Sequence, residues 1–174
     1  MIVSHCKDIP VSLFLAVSIV LVFSLYVTTV LKTIPCGRNL LSSFCGNFVH
    51  IDLFHLVANL ITLYTLARVE RDIGAKNFSF LIIFLLIFTS ITEVIVHKIF
   101  PNIACTIGFS GILFGIMAWE LTTKKGLDLL LVISIIGVAV MPTIQNPKRA
   151  SLLGHLAGVA SGIIGGLLWT SFSV

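Results

Sequence analysis

The chain has 174 residues, 57% of them hydrophobic and 10% charged, and a mean hydropathy of +1.13. This is too apolar for a soluble core and suits one compact bundle of membrane spans. The eleven Lys and Arg residues outweigh seven Asp and Glu for a formal charge of +4, but they stand singly or in pairs, which excludes a nucleic-acid surface and a polybasic lipid anchor.

Six apolar segments are predicted, at about 11–31, 51–69, 78–97, 108–123, 127–142 and 147–172, by the length needed to cross a bilayer. The first is longer than a signal-peptide core, and no small-x-small cleavage site follows it, so it reads as a retained helix. An even count puts both termini on one side. The terminal side then carries Lys7, Arg68, Arg71, Lys76, Lys124 and Lys125, and the other carries Lys32, Arg38, Lys98, Lys148 and Arg149. Six against five barely engages the positive-inside rule.

The first connection, residues 32–50, is too long for a simple turn and is expected to cover something. It holds Cys36 and Cys45, either a disulfide, if that side is oxidising, or two free thiols. The four cysteines lack C-x-x-C spacing and do not combine with the five histidines in a zinc pattern, so neither metal nor cofactor is expected.

The second helix is predicted to start at Asp52, a good N-cap. His55 and Asn59 follow four residues apart, on one helix face. Polar groups in hydrocarbon are costly unless partnered, so both must face the bundle interior, either tying helices together or serving a site. The segment leaves through Arg68-Val69-Glu70-Arg71-Asp72-Ile73-Gly74, a charged exit with a structural role and a glycine suited to a helix C-terminus. On the third helix Glu93 and His97 are spaced to pair with each other.

Past Pro101 a short loop leads to Gly108-Phe109-Ser110-Gly111. A serine among small residues at a helix mouth is a nucleophile candidate, although such strings also serve packing alone. A fourth helix from Ser110 to Thr123 has fourteen residues and spans roughly 21 Å, against a hydrocarbon core of about 30 Å. Ser110 therefore starts its helix recessed, roughly 10 Å below one surface, and the loop before it dips in too.

The sixth segment opens with Asn146-Pro147, a cap followed by proline at the first helical position. His155 lies roughly 12 Å down from there, and Asn59 roughly 10 Å below Asp52. Helices two, four and six start on the same side, so Ser110, His155, His55 and Asn59 fall in one shallow layer. Packing alone does not predict that coincidence. Gly154, Gly158, Gly162 and Gly166 recur at spacing four, as do Gly111 and Gly115, the close-approach pattern that would let a serine on one helix reach a histidine on another.

A serine hydroxyl needs a base within hydrogen-bond reach, and His155 is the candidate. The oxyanion formed on attack needs preorganised donors. Ser110 brings its backbone N–H at a helix N-terminus, and His55 and Asn59 offer side-chain donors. No acidic residue lies within a turn of His155, so the pattern is a Ser-His dyad rather than a triad.

The three motifs His55-Leu-Val-Ala-Asn59, Gly108-Phe109-Ser110-Gly111 and Gly154-His155-Leu-Ala-Gly158 resemble, in order, those of the rhomboid family of intramembrane serine proteases. The resemblance runs from about Phe48 to Trp169 and takes in the Glu70–Gly74 exit. It implies an all-α polytopic membrane protein, the minimal six-helix form, with Ser110 as nucleophile, His155 as base and His55 and Asn59 at the oxyanion hole. It also implies termini in the cytosol, an active site opening to the opposite side, and single-span membrane proteins as substrates, cut in or near their helix. His50 falls where the family often has a histidine, with a structural role. The family's Trp-Arg pair in the first loop is absent, with Arg38 and no tryptophan there.

Two other functions compete. A catalytically inactive relative that binds membrane helices would typically lack the serine or the histidine, and both are present. A transporter could use intramembrane His and Asn, but no repeat relates the two halves of the chain. Nothing in the sequence sets the oligomeric state.

Overall fold

A computed structural model describes residues 8–33, 39–102, 106–124, 129, 132–133, 135–137 and 152–172. The regular elements among these residues are all helices, joined by short turns and loops, and those with defined bounds are numbered in chain order.

Helix α1 runs Pro10–Val27. Its proline sits where no N–H is needed, and the orphan donors of its first turn find a carboxylate elsewhere in the chain. Val11 N–H and Ser12 N–H each donate to Glu70 at 2.8 Å, and Ser12 Oγ donates at 2.6 Å. Glu70 is fully buried, so its charge is offset by these bonds and by the positive end of the α1 dipole. This is the structural role expected of the charged exit. The helix stops four residues short of the expected Leu31. Thr28 turns its hydroxyl back onto the Ser24 carbonyl at 2.8 Å, and Thr29 has φ of 60°, which ends α-helical geometry.

The first connection, expected to be more than a simple turn, has regular structure of its own. It contains a short helix, α2, Leu40–Gly46, capped by a reciprocal pair: Ser42 N–H donates to Asn39 Oδ1 at 2.8 Å, and Asn39 N–H donates to Ser42 Oγ at 3.2 Å. Helix α3, Leu53–Ile73, starts as predicted, with His55 N–H donating to Asp52 Oδ1 at 2.7 Å. It continues past residue 69 to Gly74, whose φ of 80° is cheap for glycine and reverses the chain directly into α4, Ala75–Ile99.

Glu93 and His97 do not pair through their side chains. Ser43 Oγ of α2 donates to the Glu93 carboxyl, and His97 Nδ1 donates to the Glu93 backbone carbonyl at 2.9 Å. The nearer partner for a buried carboxyl is a hydroxyl delivered by the first connection. Asn47 Nδ2 donates to Ser90 Oγ at 3.4 Å beside this contact.

Helix α5, Ser110–Thr123, has the predicted bounds. Gly108 and Phe109 precede it as loop and cap. Residues Gly111 to Glu120 are all buried, as befits a helix apolar on every side. At its end Glu120 receives Arg68 of α3 at 2.8 Å and also Lys124, which pins α3 to α5. Helix α6, Leu152–Phe172, packs along α5 in the most extensive helix pair among the described residues. Among the described residues, three helices are long and apolar enough to cross a membrane by length and composition: α1, α4 and residues 152–171 of α6. The charged last turns of α3 and the short length of α5 set those two apart. Residues 132–133 and 135–137 are helical, within the predicted fifth segment. Apart from Leu129, also helical, the rest of that segment, the Asn146-Pro147 start, Arg38, and Cys36 with its pairing to Cys45 lie outside the described residues.

Candidate active site

The loop ahead of α5 is held from two directions. Gly108 N–H donates to the Gly46 carbonyl at the end of α2 at 3.0 Å. Phe109, fully buried, meets Phe48 with ring centroids 5.7 Å apart. Gly108 has φ of 101°, and a Cβ there would lie 2.5 Å from His55 Cε1 and 2.7 Å from Nε2. The Cε1–Nε2 edge of the α3 imidazole therefore comes against the backbone two residues before Ser110, an approach that only glycine allows.

Ser110 is the first residue of α5 and half-buried. Its N–H is among those for which a helix offers no internal acceptor. Its Oγ lies 3.0 Å from His155 Nε2. The imidazole is 8% exposed and packs on the Phe114 ring, with centroids 4.6 Å apart, so the ring is oriented by an aromatic face one turn along from the serine.

The glycines explain how the two helices come so close. A Cβ on Gly158 would run into the Gly111 carbonyl, and one on Gly162 into the Gly115 carbonyl. A Cβ on Gly111 would sit 3.0 Å from the Gly154 carbonyl, one on Gly154 would collide with Thr106, and one on Gly115 would lie 2.7 Å from Leu85. Five of these positions serve the α5–α6 seam and its entry loop; Gly115 also makes room for α4.

Asn59 is 4% exposed, one turn below His55. Its Nδ2 donates to the His55 carbonyl at 2.8 Å, which leaves the second N–H of the amide for another acceptor. On the other side of His55 stands His50, with ring centroids 4.8 Å apart. His50 is fully buried in the loop ahead of α3; its Nδ1 lies 3.3 Å from the Phe48 carbonyl, and its Nε2 has no partner among the described residues. Burial, and secondarily the neighbouring His55, lower its pKa to about 4, so it is a neutral prop for the His55 ring at neutral pH.

The structure thus joins Ser110 to His155 directly and brings His55 against Gly108, with Asn59 one turn deeper. Sequence reasoning missed Phe114 and Thr106, which hold His155 and Gly154. Their only signal is i+4 spacing after Ser110 and position in the short loop. It also missed the Ser43–Glu93 contact, for which the Asn39-x-x-Ser42 cap was the available clue. Among the described residues no three His, Cys, Asp or Glu side chains gather as a metal site would require.

A short buried helix opening on a serine, with a glycine seam delivering a histidine to it, is the arrangement of a helical membrane protein with an embedded polar site. A family model described as the Rhomboid domain matches residues 38–172. The chain is also 34% identical over 122 residues to the "Putative rhomboid protein" of Acanthamoeba polyphaga mimivirus, an alignment covering 67% of this chain and 68% of the relative. The chain belongs to the rhomboid family and is an integral membrane protein.

Proposed function

We propose that the protein is an intramembrane serine endopeptidase that cuts single-span membrane proteins in or near their transmembrane helix. The observation that carries this reading is the 3.0 Å approach of Ser110 Oγ to His155 Nε2 in a chain of the rhomboid family. Ser110 Oγ attacks the scissile carbonyl carbon and passes its proton to His155 Nε2. The resulting oxyanion is met by the Ser110 N–H at the positive end of α5, by the His55 ring and by the free N–H of Asn59. Collapse of the intermediate breaks the C–N bond, and His155 returns the proton to the leaving amine. Water, deprotonated by His155, then hydrolyses the acyl-serine and restores the enzyme.

The proposed topology has six spans, both termini in the cytosol and the site opening to the opposite side. An inactive relative that only binds membrane helices is the rival, and the intact serine and histidine disfavour it. Labelling of the detergent-purified protein with a serine-directed fluorophosphonate separates the two. Labelling that disappears in Ser110→Ala is the expected result, and a folded protein that never labels would support the binding role instead.

A further inference from the structure

At the end of the bundle away from Ser110, the start of α4 meets the ends of α5 and α6 around an open groove of about 420 Å³. Its walls are Phe80 and Phe84 of α4, Trp119 of α5, and Leu168 and Trp169 of α6, with Gly165 as the floor. The floor is cut close: a Cβ on Gly165 would lie 2.9 Å from the Phe84 ring. Trp119 and Trp169 meet edge to face, with centroids 5.5 Å apart, while Phe80 and Leu168 are 60% and 45% exposed. The lining is apolar, so in a bilayer hydrocarbon fills it and water does not.

The groove's mouth carries a charge. Lys76 stands one helical turn ahead of Phe80 on α4, exposed and without an ion pair among the described residues. Arg68 and Lys124 both bind Glu120, while Arg71 in the last turn of α3 is exposed like Lys76. Lys76 is therefore free to snorkel to the headgroup layer above the groove. An acyl chain has no polar groups to leave unmet against this apolar lining, and an anionic headgroup suits the lysine one turn beyond it.

We propose that this groove, with Lys76 at its mouth, is a binding site for an anionic glycerophospholipid of the leaflet at that end, one acyl chain lying between Phe80, Phe84 and the two tryptophans. The site is independent of the proposed catalysis. It ties the far ends of α4, α5 and α6 together through a ligand rather than through side chains alone.

The chain has two tryptophans, and both line the groove, so intrinsic fluorescence reports on it directly. The purified full-length protein is reconstituted in vesicles of phosphatidylcholine containing a small fraction of either dibrominated phosphatidylglycerol or dibrominated phosphatidylcholine. The site predicts a roughly five-fold preference for the anionic quencher, the effect of one basic residue near the surface. Lys76→Gln should abolish that preference while leaving quenching by the neutral lipid unchanged. Leu168→Phe, which fills the groove without touching the charge, should reduce quenching by both. Equal quenching by the two lipids in the unaltered protein would overturn the proposal in favour of ordinary solvation by lipid. Quenching by neither would overturn it in favour of a protein partner, such as a second copy, covering the groove.

Discussion

Ser110 and His155 differ in what holds them. The serine is set by backbone, as the first residue of a helix whose entry loop is bonded to α2; the histidine is set by packing on Phe114. If they act as one unit, Ser110→Ala and His155→Ala should each abolish cleavage of a single-span substrate in a folded protein, and the double variant should be no worse than either. Measurable cleavage by either single variant would break the dyad assignment. Asn59 is a sharper case, because its amide already serves the His55 carbonyl. As an oxyanion donor its loss should lower kcat roughly 10- to 1000-fold with little change in KM; as a brace alone, Asn59→Ala should lower Tm and leave turnover per folded molecule near normal. His50 adds a pH signature. Its folded pKa of about 4 lies below the ordinary value of about 6.5, so the unfolded chain takes up the proton first as pH falls. Its contribution is complete above about pH 6.5 and lost on the way down to about pH 4, a change on the order of 3 kcal/mol at most. Tm measured across that window should fall less steeply for His50→Phe than for the unaltered protein.

At the level of helices, two devices position the site. The α5–α6 seam depends on the absence of a Cβ at Gly158, which faces the Gly111 carbonyl beside the serine. Gly158→Ala should push the helices apart, at a cost of roughly 1–3 kcal/mol in stability. Because a displacement of about 1 Å can cost about 100-fold in rate, activity should fall far more than Tm. A variant that loses stability and activity in proportion would show that the seam is only structural. The second device is Glu70, which caps α1 from α3 with three hydrogen bonds. Glu70→Ala leaves those donors unmet and should lower stability by roughly 2–4 kcal/mol, with faster amide exchange confined at first to the α1 N-terminus. Unchanged exchange there would mean that α1 is held by its apolar contacts alone.

For the whole molecule, the property to test is which way it faces. Asn77-Phe78-Ser79 is the sole N-x-S/T sequence in the chain, and Asn77 is exposed in the first turn of α4, its amide bonded to the Ile73 carbonyl at 2.8 Å. In the proposed topology this residue would lie on the cytosolic side and should carry no sugar when the protein is made in a eukaryotic host. An endoglycosidase-sensitive mass shift that Asn77→Gln removes would reverse the proposed topology and turn the site toward the cytosol.

Several features follow from local rules and were legible in the sequence. The Asp52 cap, the Gly74 reversal and the bounds of α5 are set by groups a few residues apart, and the glycine spacing announces a close helix contact whatever its partner. The expected recess of the α5 start rests on its length of fourteen residues alone. Other features needed the folded chain, because they join groups far apart in sequence whose relative placement no periodicity encodes. Glu70 reaches α1 across 58 and 59 residues, and Glu93 meets Ser43 across 50 rather than pairing with His97 one turn away. In a medium without water, a buried carboxyl takes the best donor that packing delivers, and only the tertiary structure decides which donor that is. The same holds at the site. From the sequence by itself came the expectation that Ser110, His155, His55 and Asn59 lie at similar depth, whereas the packing of α5 on α6, and of His55 on Gly108, decided which of them touch.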